Sequence, residues 1–310
     1  MSTANTMDAP VCVIVNASAR SAGAAQVPTE IVKHFEVAGV RIELKLAKSG
    51  ESVIEEVNAA ILRKPRMIVV GGGDGTLNAA AALLIGSGIA LGVLPLGTLN
   101  HFAKDLHVPI DLGKAVTTIV EGHSAQVDVG AVNDRFFLNN ASLGIYPQLV
   151  QKRDHQHQWL GHGKWPAFFW AAVSVLRRYP NAHVLLRIDG KSLERHTPFV
   201  FVGNNRYEMK GFRIGKRARL DAGELSLYVA NRTGRLGLVR LALRALLGHL
   251  DQAADFDTVC ARHIEVQTRR KRVHIATDGE VSVMETPLRF RVLPGALKVI
   301  VPRRKPAASK

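Results

Sequence analysis

Asp74 stands among glycines in the run Gly71-Gly72-Gly73-Asp74-Gly75-Thr76-Leu77-Asn78. Residues without a Cβ let the backbone come close to a ligand. The free N–H groups of a helix start, together with the helix dipole, favour a phosphate there. A carboxylate beside a phosphate repels it unless a cation lies between them or the carboxylate handles a proton. The run is not a P-loop, because no lysine closes it, and it is not a dinucleotide fingerprint, because Thr76 stands where that fingerprint needs glycine. An isolated Gly-Asp-Gly would be read as a tight turn with Asp74 capping the helix. Three glycines before Asp74, with Thr76 and Asn78 after it, favour a phosphate site instead. Gly71, Gly72, Gly73, Asp74, Gly75, Thr76 and Leu77 are its binding residues, and Asp74 organises a metal through water, since Mg²⁺ keeps several waters.

Two further stretches carry matching chemistry. Pro95-Leu96-Gly97-Thr98-Leu99-Asn100 offers side-chain donors from Thr98 and Asn100 at a second strand-to-helix turn. Asp278-Gly279-Glu280 follows a strand ending at Thr277, which sets two carboxylates at a strand edge; alone, the tripeptide is an ordinary β-turn. Phosphoryl transfer requires held phosphates, a divalent metal and a carboxylate that takes the acceptor hydroxyl's proton. The three stretches together supply those parts.

In this order, Gly72-Gly73-Asp74-Gly75-Thr76, Pro95–Asn100 and Asp278-Gly279-Glu280 with Pro287-Leu288 resemble the diacylglycerol kinase catalytic family, which includes sphingosine kinases and bacterial lipid kinases and is more distantly like NAD kinases. The likeness runs from about Val11 to about Pro302. It implies ATP and Mg²⁺ as cofactors and a lipid substrate. It also implies that Glu280 is the base, with Asp278 supporting it or touching nucleotide. The family's first loop, of the form Asn-Pro-x-Ser-Gly, maps onto Asn16, Ser18 and Arg20, with Ala17 in the proline's place. Some relatives hold a structural Mg²⁺ at an Asp-Asp-Gly loop. Here that loop reads Asp221-Ala222-Gly223, so Asp221 is the one carboxylate left for such an ion.

The elements that must position these residues follow from pattern. Val11–Val15, Met67–Val70 and Ile89–Leu94 are short apolar runs of buried strands. Helices near residues 28–37 and 51–62 alternate with them, the second through Val53, Ile54, Val57, Ile61 and Leu62. Asp111 caps a further helix that Gly122 closes. Alternation of this kind predicts a doubly wound α/β domain over residues 10–132. Thereafter hairpin signals at Asn133-Asp134 and Asp189-Gly190, the latter joining residues 184–188 to the run 198–202, and strands near 224–230, 262–268, 273–277, 288–293 and 297–301 predict a mostly antiparallel, β-sandwich-like domain over 133–302. The last strand returns to the first domain if the family pattern holds, and residues 303–310 form a basic tail. Apolar helical stripes near residues 165–176 and 235–250 fit core packing, an acyl-chain groove or a helix lying on a membrane.

Composition narrows the function classes. Lys plus Arg number 41 against 26 acidic residues, a net charge of +15 that attracts polyanions. Aromatic residues make up only 6%, thin for base stacking, and no zinc-finger or RNA-recognition signature is present, so an anionic membrane surface is expected and nucleic acid is not. Arg269-Arg270-Lys271-Arg272 is a solvated turn or part of that membrane-facing surface. Cys12 and Cys260, the only cysteines, read as core residues in a reducing compartment, and the first ten residues carry no signal-peptide pattern. No apolar run approaches the roughly 20 residues that span a bilayer. The expected location is cytoplasmic with peripheral membrane association, and an exposed strand edge leaves room for a homodimer. His155, His157 and His162 read as a solvated loop in preference to a zinc site. Two other functions fit less of the pattern: a soluble-substrate kinase of NAD-kinase type, and a non-catalytic lipid- or nucleic-acid-binding homologue.

Overall fold

The structure, a computed structural model, describes residues 10–18, 26–144, 182–210, 213–230 and 256–303. The stripes near 165–176 and 235–250, the histidines 155, 157 and 162, and Arg20 lie outside the described residues. Two compact units divide the chain: residues 1–127 with 295–310, and residues 128–294.

In the first unit, four six-residue strands form a parallel sheet in the order β2-β1-β3-β4: β1 (Val11–Asn16), β2 (Ile42–Ala47), β3 (Met67–Gly72) and β4 (Ala90–Pro95). Val13, Ile14, Ile68, Val69, Val70, Leu91 and Leu94 are fully or almost fully buried, as central strands covered by helices on both faces require. The helices are α1 (Val27–Val37), α2 (Gly50–Leu62), α3 (Asp74–Leu84), α4 (His101–Asp105) and α5 (Leu112–Glu121). A capping box between Ser49 and Ser52 starts α2, and the Asp111 carboxylate accepts from the Lys114 N–H at 2.9 Å to start α5. On α2 the core face is Val53, Val57 and Ala60; Ile54 and Leu62, expected in the stripe, face outward. β1 connects towards β2 on one side and β3 towards β4 on the other, so the sheet changes direction between β1 and β3. Ligands bind at the carboxyl edge of such sheets, at that point.

The second unit is antiparallel. One sheet has the order β14-β13-β10-β7-β16-β17. Its members are β7 (Asn140–Gly144), β10 (Phe199–Asn204), β13 (Leu225–Ala230), β14 (Phe256–Ala261), β16 (Arg272–Thr277) and β17 (Glu280–Glu285). The other sheet pairs β8 (Ala182–Ile188) and β9 (Lys191–Thr197) with β15 (His263–Thr268) and the start of β18 (Leu288–Val301), joined by the hairpin of β5 (His123–Val132) and β6 (Arg135–Phe137). Leu143, Val202 and Ile275 of the first sheet meet Phe137, Val184, Leu186, Ile264, Val266 and Phe290 of the other in one apolar core, which makes the unit a β-sandwich. β11 (Tyr207–Lys210) and β12 (Arg213–Arg217) form a separate ribbon.

Several details differ from expectation. Residues 288–301 form one strand, not two; Arg291 pairs His263 in the antiparallel part, and beyond Pro294 and Gly295, Val299 pairs Leu91 of β4 in parallel. The Asp189-Gly190 turn joins β8 to β9 and not to the run beginning at Phe199, because Lys191–Thr197 is a polar edge strand with Leu193 as its one large apolar residue. Cys12 is buried, but Cys260 is exposed on edge strand β14, so only one cysteine is a core residue. Among the described residues no helix is long and apolar enough to cross a membrane.

Candidate active site

Three loops at the carboxyl ends of β1, β3 and β4 are locked together. Asn16 donates through Nδ2 to Thr76 Oγ1 at 3.0 Å, and its Oδ1 accepts from the Ser18 N–H at 3.0 Å and the Ser18 hydroxyl at 2.6 Å. The first loop is thereby tied to the second across the point where the sheet changes direction. The second and third loops meet backbone to backbone. The Leu96 N–H donates to Gly72 O at 3.1 Å, and a Cβ on Gly97 would overlap Gly73 Cα. A Cβ on Gly72 would meet Thr76 Cβ at 2.6 Å. Asn100, at a left-handed φ of 51°, closes the third loop by accepting from the Gly97 N–H at 2.9 Å and donating to Gly97 O at 2.7 Å.

Asp74 opens α3, yet it caps α4. Its carboxylate accepts from the His101 N–H at 3.1 Å and the Phe102 N–H at 3.0 Å, across 27 and 28 residues of chain. This is the charge a helix N-terminus favours. It also fixes the third loop to the second. A carboxylate has about four lone-pair sites, and these two bonds leave Asp74 about two for a cation or water. Among the described residues no group of three or more His, Cys, Asp or Glu is placed to hold a metal ion. The described residues thus offer a single partly engaged carboxylate, which suits a cation carried by phosphates and water better than a cage of protein ligands.

The residues of the glycine run differ in their surroundings. Gly71 lies within β3, where a Cβ would meet Leu96 Cδ1 at 2.9 Å and Val15 Cγ2 at 3.1 Å, so its glycine serves packing. Leu77 is fully buried and its N–H donates to Gly73 O at 3.0 Å. Gly73, Asp74, Gly75 and Thr76 are half-buried, Ser18 and Thr98 exposed. In its first turn α3 has N–H groups without intrahelical partners, and no side chain caps them.

In the second unit, Asp278 and Gly279 form a two-residue turn between β16 and β17, with φ of 48° and 89°. Positive φ at both positions is the hairpin geometry whose twist suits the flanking strands. The Asp278 carboxylate accepts from the N–H groups of Leu138 at 2.7 Å, Asn139 at 2.8 Å and Asn140 at 2.9 Å. Burial pushes its pKa up to about 6 from an ordinary 3.8, against the pull of those three donors and of the Arg217 charge. Glu280, the first residue of β17, is exposed and pairs with Thr277.

A pH dependence follows from Asp278. Between about pH 4 and pH 6 the folded chain keeps a proton that the unfolded chain has lost. The group's contribution to stability is complete below the ordinary value and is lost as pH rises through about 6. That offset is worth about 3 kcal/mol. In Asp278→Asn the side chain does not titrate, and its amide sets a donor against the Leu138 N–H. The variant is less stable than the wild type at acid pH, and the gap narrows by about 3 kcal/mol towards neutrality. Urea denaturation of both proteins across that range checks this; a gap independent of pH contradicts it.

Asp221 pairs with Arg219, Nε to Oδ1 at 3.0 Å, on the surface. The N–H groups of the next two residues are committed to protein: Ala222 to Asn205 Oδ1 at 3.0 Å and Gly223 to Asp128 Oδ2 at 2.6 Å. The loop is held by protein groups, with the one carboxylate engaged by an arginine. Buried Asp128, Asn139, Asn204, Asn205 and Arg217, which frame this loop and the 138–140 segment, carry no motif that linear spacing would reveal.

The fold is an α/β domain with glycine loops at the carboxyl edge of its parallel sheet, on a chain that also carries a β-sandwich. Residues 10–132 match the family model of the diacylglycerol kinase catalytic domain, and residues 145–301 match the YegS C-terminal NAD kinase beta sandwich-like domain. A diacylglycerol kinase of Staphylococcus carnosus is 29% identical over 273 residues, 83% of each chain. One from Staphylococcus aureus is 30% identical over 210 residues, 61% of this chain and 64% of that one. Two solved structures of proteins from Bacillus anthracis assigned as diacylglycerol kinases superpose with TM-scores of 0.72 and 0.71, at 25% and 26% identity, each over 94% of this chain and 97% of the other. The chain belongs to the diacylglycerol kinase family, and it is accordingly a phosphotransferase that acts on an alcohol group.

Proposed function

We propose that this kinase transfers the γ-phosphoryl group of ATP to a hydroxyl of a membrane lipid such as diacylglycerol. The observation that carries the proposal is the backbone contact of Gly73 with Gly97 beside the Asn16–Thr76 bond. It sets loops without side-chain bulk at the one edge of the sheet where such folds take nucleotides. In this reading the N–H groups at the start of α3 hold phosphate oxygens, and Thr98 and Ser18 add hydroxyl donors. Asn16 keeps the loops in register. Mg²⁺ supplies charge neutralisation between phosphates and carboxylate when bound, and Asp74 is the residue that would hold it. Glu280, exposed and without a bond that would occupy its carboxylate among those seen here, takes the lipid hydroxyl's proton. Asp278 holds the turn from which Glu280 starts. The net charge of +15 draws the protein to an anionic membrane face.

The test is an assay of purified protein with radiolabelled MgATP and a lipid extract in mixed micelles, with NAD as a parallel acceptor. The expected product is a phosphorylated lipid. Label appearing on NAD alone would transfer the assignment to soluble-substrate kinases. Binding of lipid without any label transfer would make the chain a non-catalytic homologue.

A further inference from the structure

We infer that Arg217 is the positioning residue for the Asp278–Glu280 turn, acting through the backbone of residues 138–140. The inference rests on the role of Glu280 given above. Arg217 ends β12 and is 5% exposed. Its Nη1 donates to Leu138 O at 2.6 Å and to Asn204 O at 3.0 Å, and its Nη2 donates to Asn139 Oδ1 at 2.8 Å. The guanidinium carbon lies 5.5 Å from the centre of the Tyr207 ring, and the Tyr207 hydroxyl donates to Asn139 O at 3.0 Å. Asn204 Nδ2 donates to Leu138 O at 2.9 Å.

These bonds divide the 138–140 segment by atom type. Its oxygens at 138 and 139 are held by Arg217, Asn204 and Tyr207. Its three N–H groups are all held by the Asp278 carboxylate. The segment is thus a strap with the guanidinium pulling on one side and the carboxylate on the other. Removing the guanidinium leaves the carbonyl of Leu138 to Asn204 alone and takes the Arg217 donor from Asn139 Oδ1, and the N–H groups that aim Asp278 lose part of their fixed direction. Glu280 begins two residues after Asp278, so its backbone direction depends on the same strap. Burying a guanidinium is costly unless its donors are satisfied, and here the acceptors come largely from the strap itself. Lysine reproduces the charge but not the planar fork that reaches Leu138 O and Asn139 Oδ1 together.

The test compares Arg217→Lys and Arg217→Met with the wild type, using full-length protein, ATP and lipid micelles, and includes Glu280→Gln in every series. The expected result is a kcat lower by about 10-fold in Arg217→Lys and about 100-fold in Arg217→Met, with KM for ATP within about twofold of wild type, because the phosphate loops are untouched. Hydrogen exchange at the amides of Leu138, Asn139 and Asn140 is expected to speed up in both variants while β13 and β10 stay protected. A folded Arg217→Lys with wild-type kcat and wild-type exchange at those three amides overturns the inference. If Arg217→Met does not fold, Arg217→Lys and Arg217→Gln carry the comparison, and unchanged turnover in either again overturns it. Full turnover in Glu280→Gln instead removes the underlying role of Glu280, while the exchange data still decide whether Arg217 holds the strap.

Discussion

Gly97→Ala is expected to disable the enzyme through a single methyl group. The added Cβ overlaps Gly73 Cα and stands 2.9 Å from Asn100 Oδ1. Neither neighbour is the flexible end of a side chain. Gly73 is the N-cap of α3, and Asn100 is the buried N-cap of α4, bonded on both sides to residue 97. Relief requires the third loop to separate from the second, which pulls on the Asp74 bonds to the His101 and Phe102 N–H groups as well. Overpacking of this kind costs about 1–3 kcal/mol of stability. Displacement of a phosphate loop by about 1 Å costs on the order of 100-fold in turnover. Equilibrium nucleotide binding, urea denaturation and the lipid kinase assay each check one part. Wild-type ATP affinity in Gly97→Ala would show that the two loops do not act as one phosphate cradle. Gly39→Ala serves as the contrast: nothing lies within 4 Å of its Cβ, but its φ of 71° strains alanine, so it loses stability without losing nucleotide binding.

The first domain was readable in the sequence because its strands are buried on both faces. Val11–Val15, Met67–Val70 and Ile89–Leu94 are uninterrupted apolar runs, and each is a strand in the structure. Antiparallel strands with one wet face gave less away. Lys191–Thr197 and Glu280–Glu285 hold few large apolar residues and depend on a partner strand for their bonds, so they went unread. Asn140–Gly144 went unread for a different reason: it is short and small-sided, and its place in the sheet comes from β10 and β16 on either side. The long β18 was divided in expectation at Pro294 and Gly295, where a proline without an N–H and a glycine at φ 57° look like a break. The strand tolerates both because its partner changes there.

At the candidate site the sequence disclosed residue types, and the structure adds what each one touches. The three glycines before Asp74 suggest room for a phosphate. Leu96 and Val15 crowd Gly71 and Thr76 crowds Gly72, and all three glycines touch the third loop: Gly71 at Leu96 Cδ1, Gly72 through its carbonyl to the Leu96 N–H, and Gly73 at Gly97. In the sequence, Asp74 reads as a cap for its own helix or a metal carboxylate. It caps a different helix, 27 residues on, a relation that no local pattern encodes. Arg217 and the asparagines around it escaped notice for the same reason, since their partners lie 66 to 79 residues away for Leu138 and Asn139. Spacing reveals periodic faces and turns. It does not reveal which buried polar groups satisfy one another across a sandwich.

Glu280→Gln is expected to lower phosphoryl transfer by about 10²–10⁴-fold while leaving ATP affinity within a factor of about two. Glutamine matches glutamate in shape but cannot accept a proton at neutral pH. The substitution therefore removes base strength and little else. Glu280 is exposed at the start of β17, and its backbone position is set by the Thr277 pairing and the Asp278-Gly279 turn, neither of which uses its side chain. Stability should consequently stay within about 0.5 kcal/mol of wild type, as for surface substitutions away from structural features. This separates Glu280 from Asp278, whose replacement by asparagine disturbs the three N–H groups of residues 138–140 and so affects folding and turnover together. Measured side by side, Glu280→Gln changes kcat alone and Asp278→Asn changes both. If Glu280→Gln instead retained wild-type kcat with lipid and MgATP, the proton would have to leave by another route. Asp74, the other carboxylate proposed for the reaction, would then be the group to substitute next.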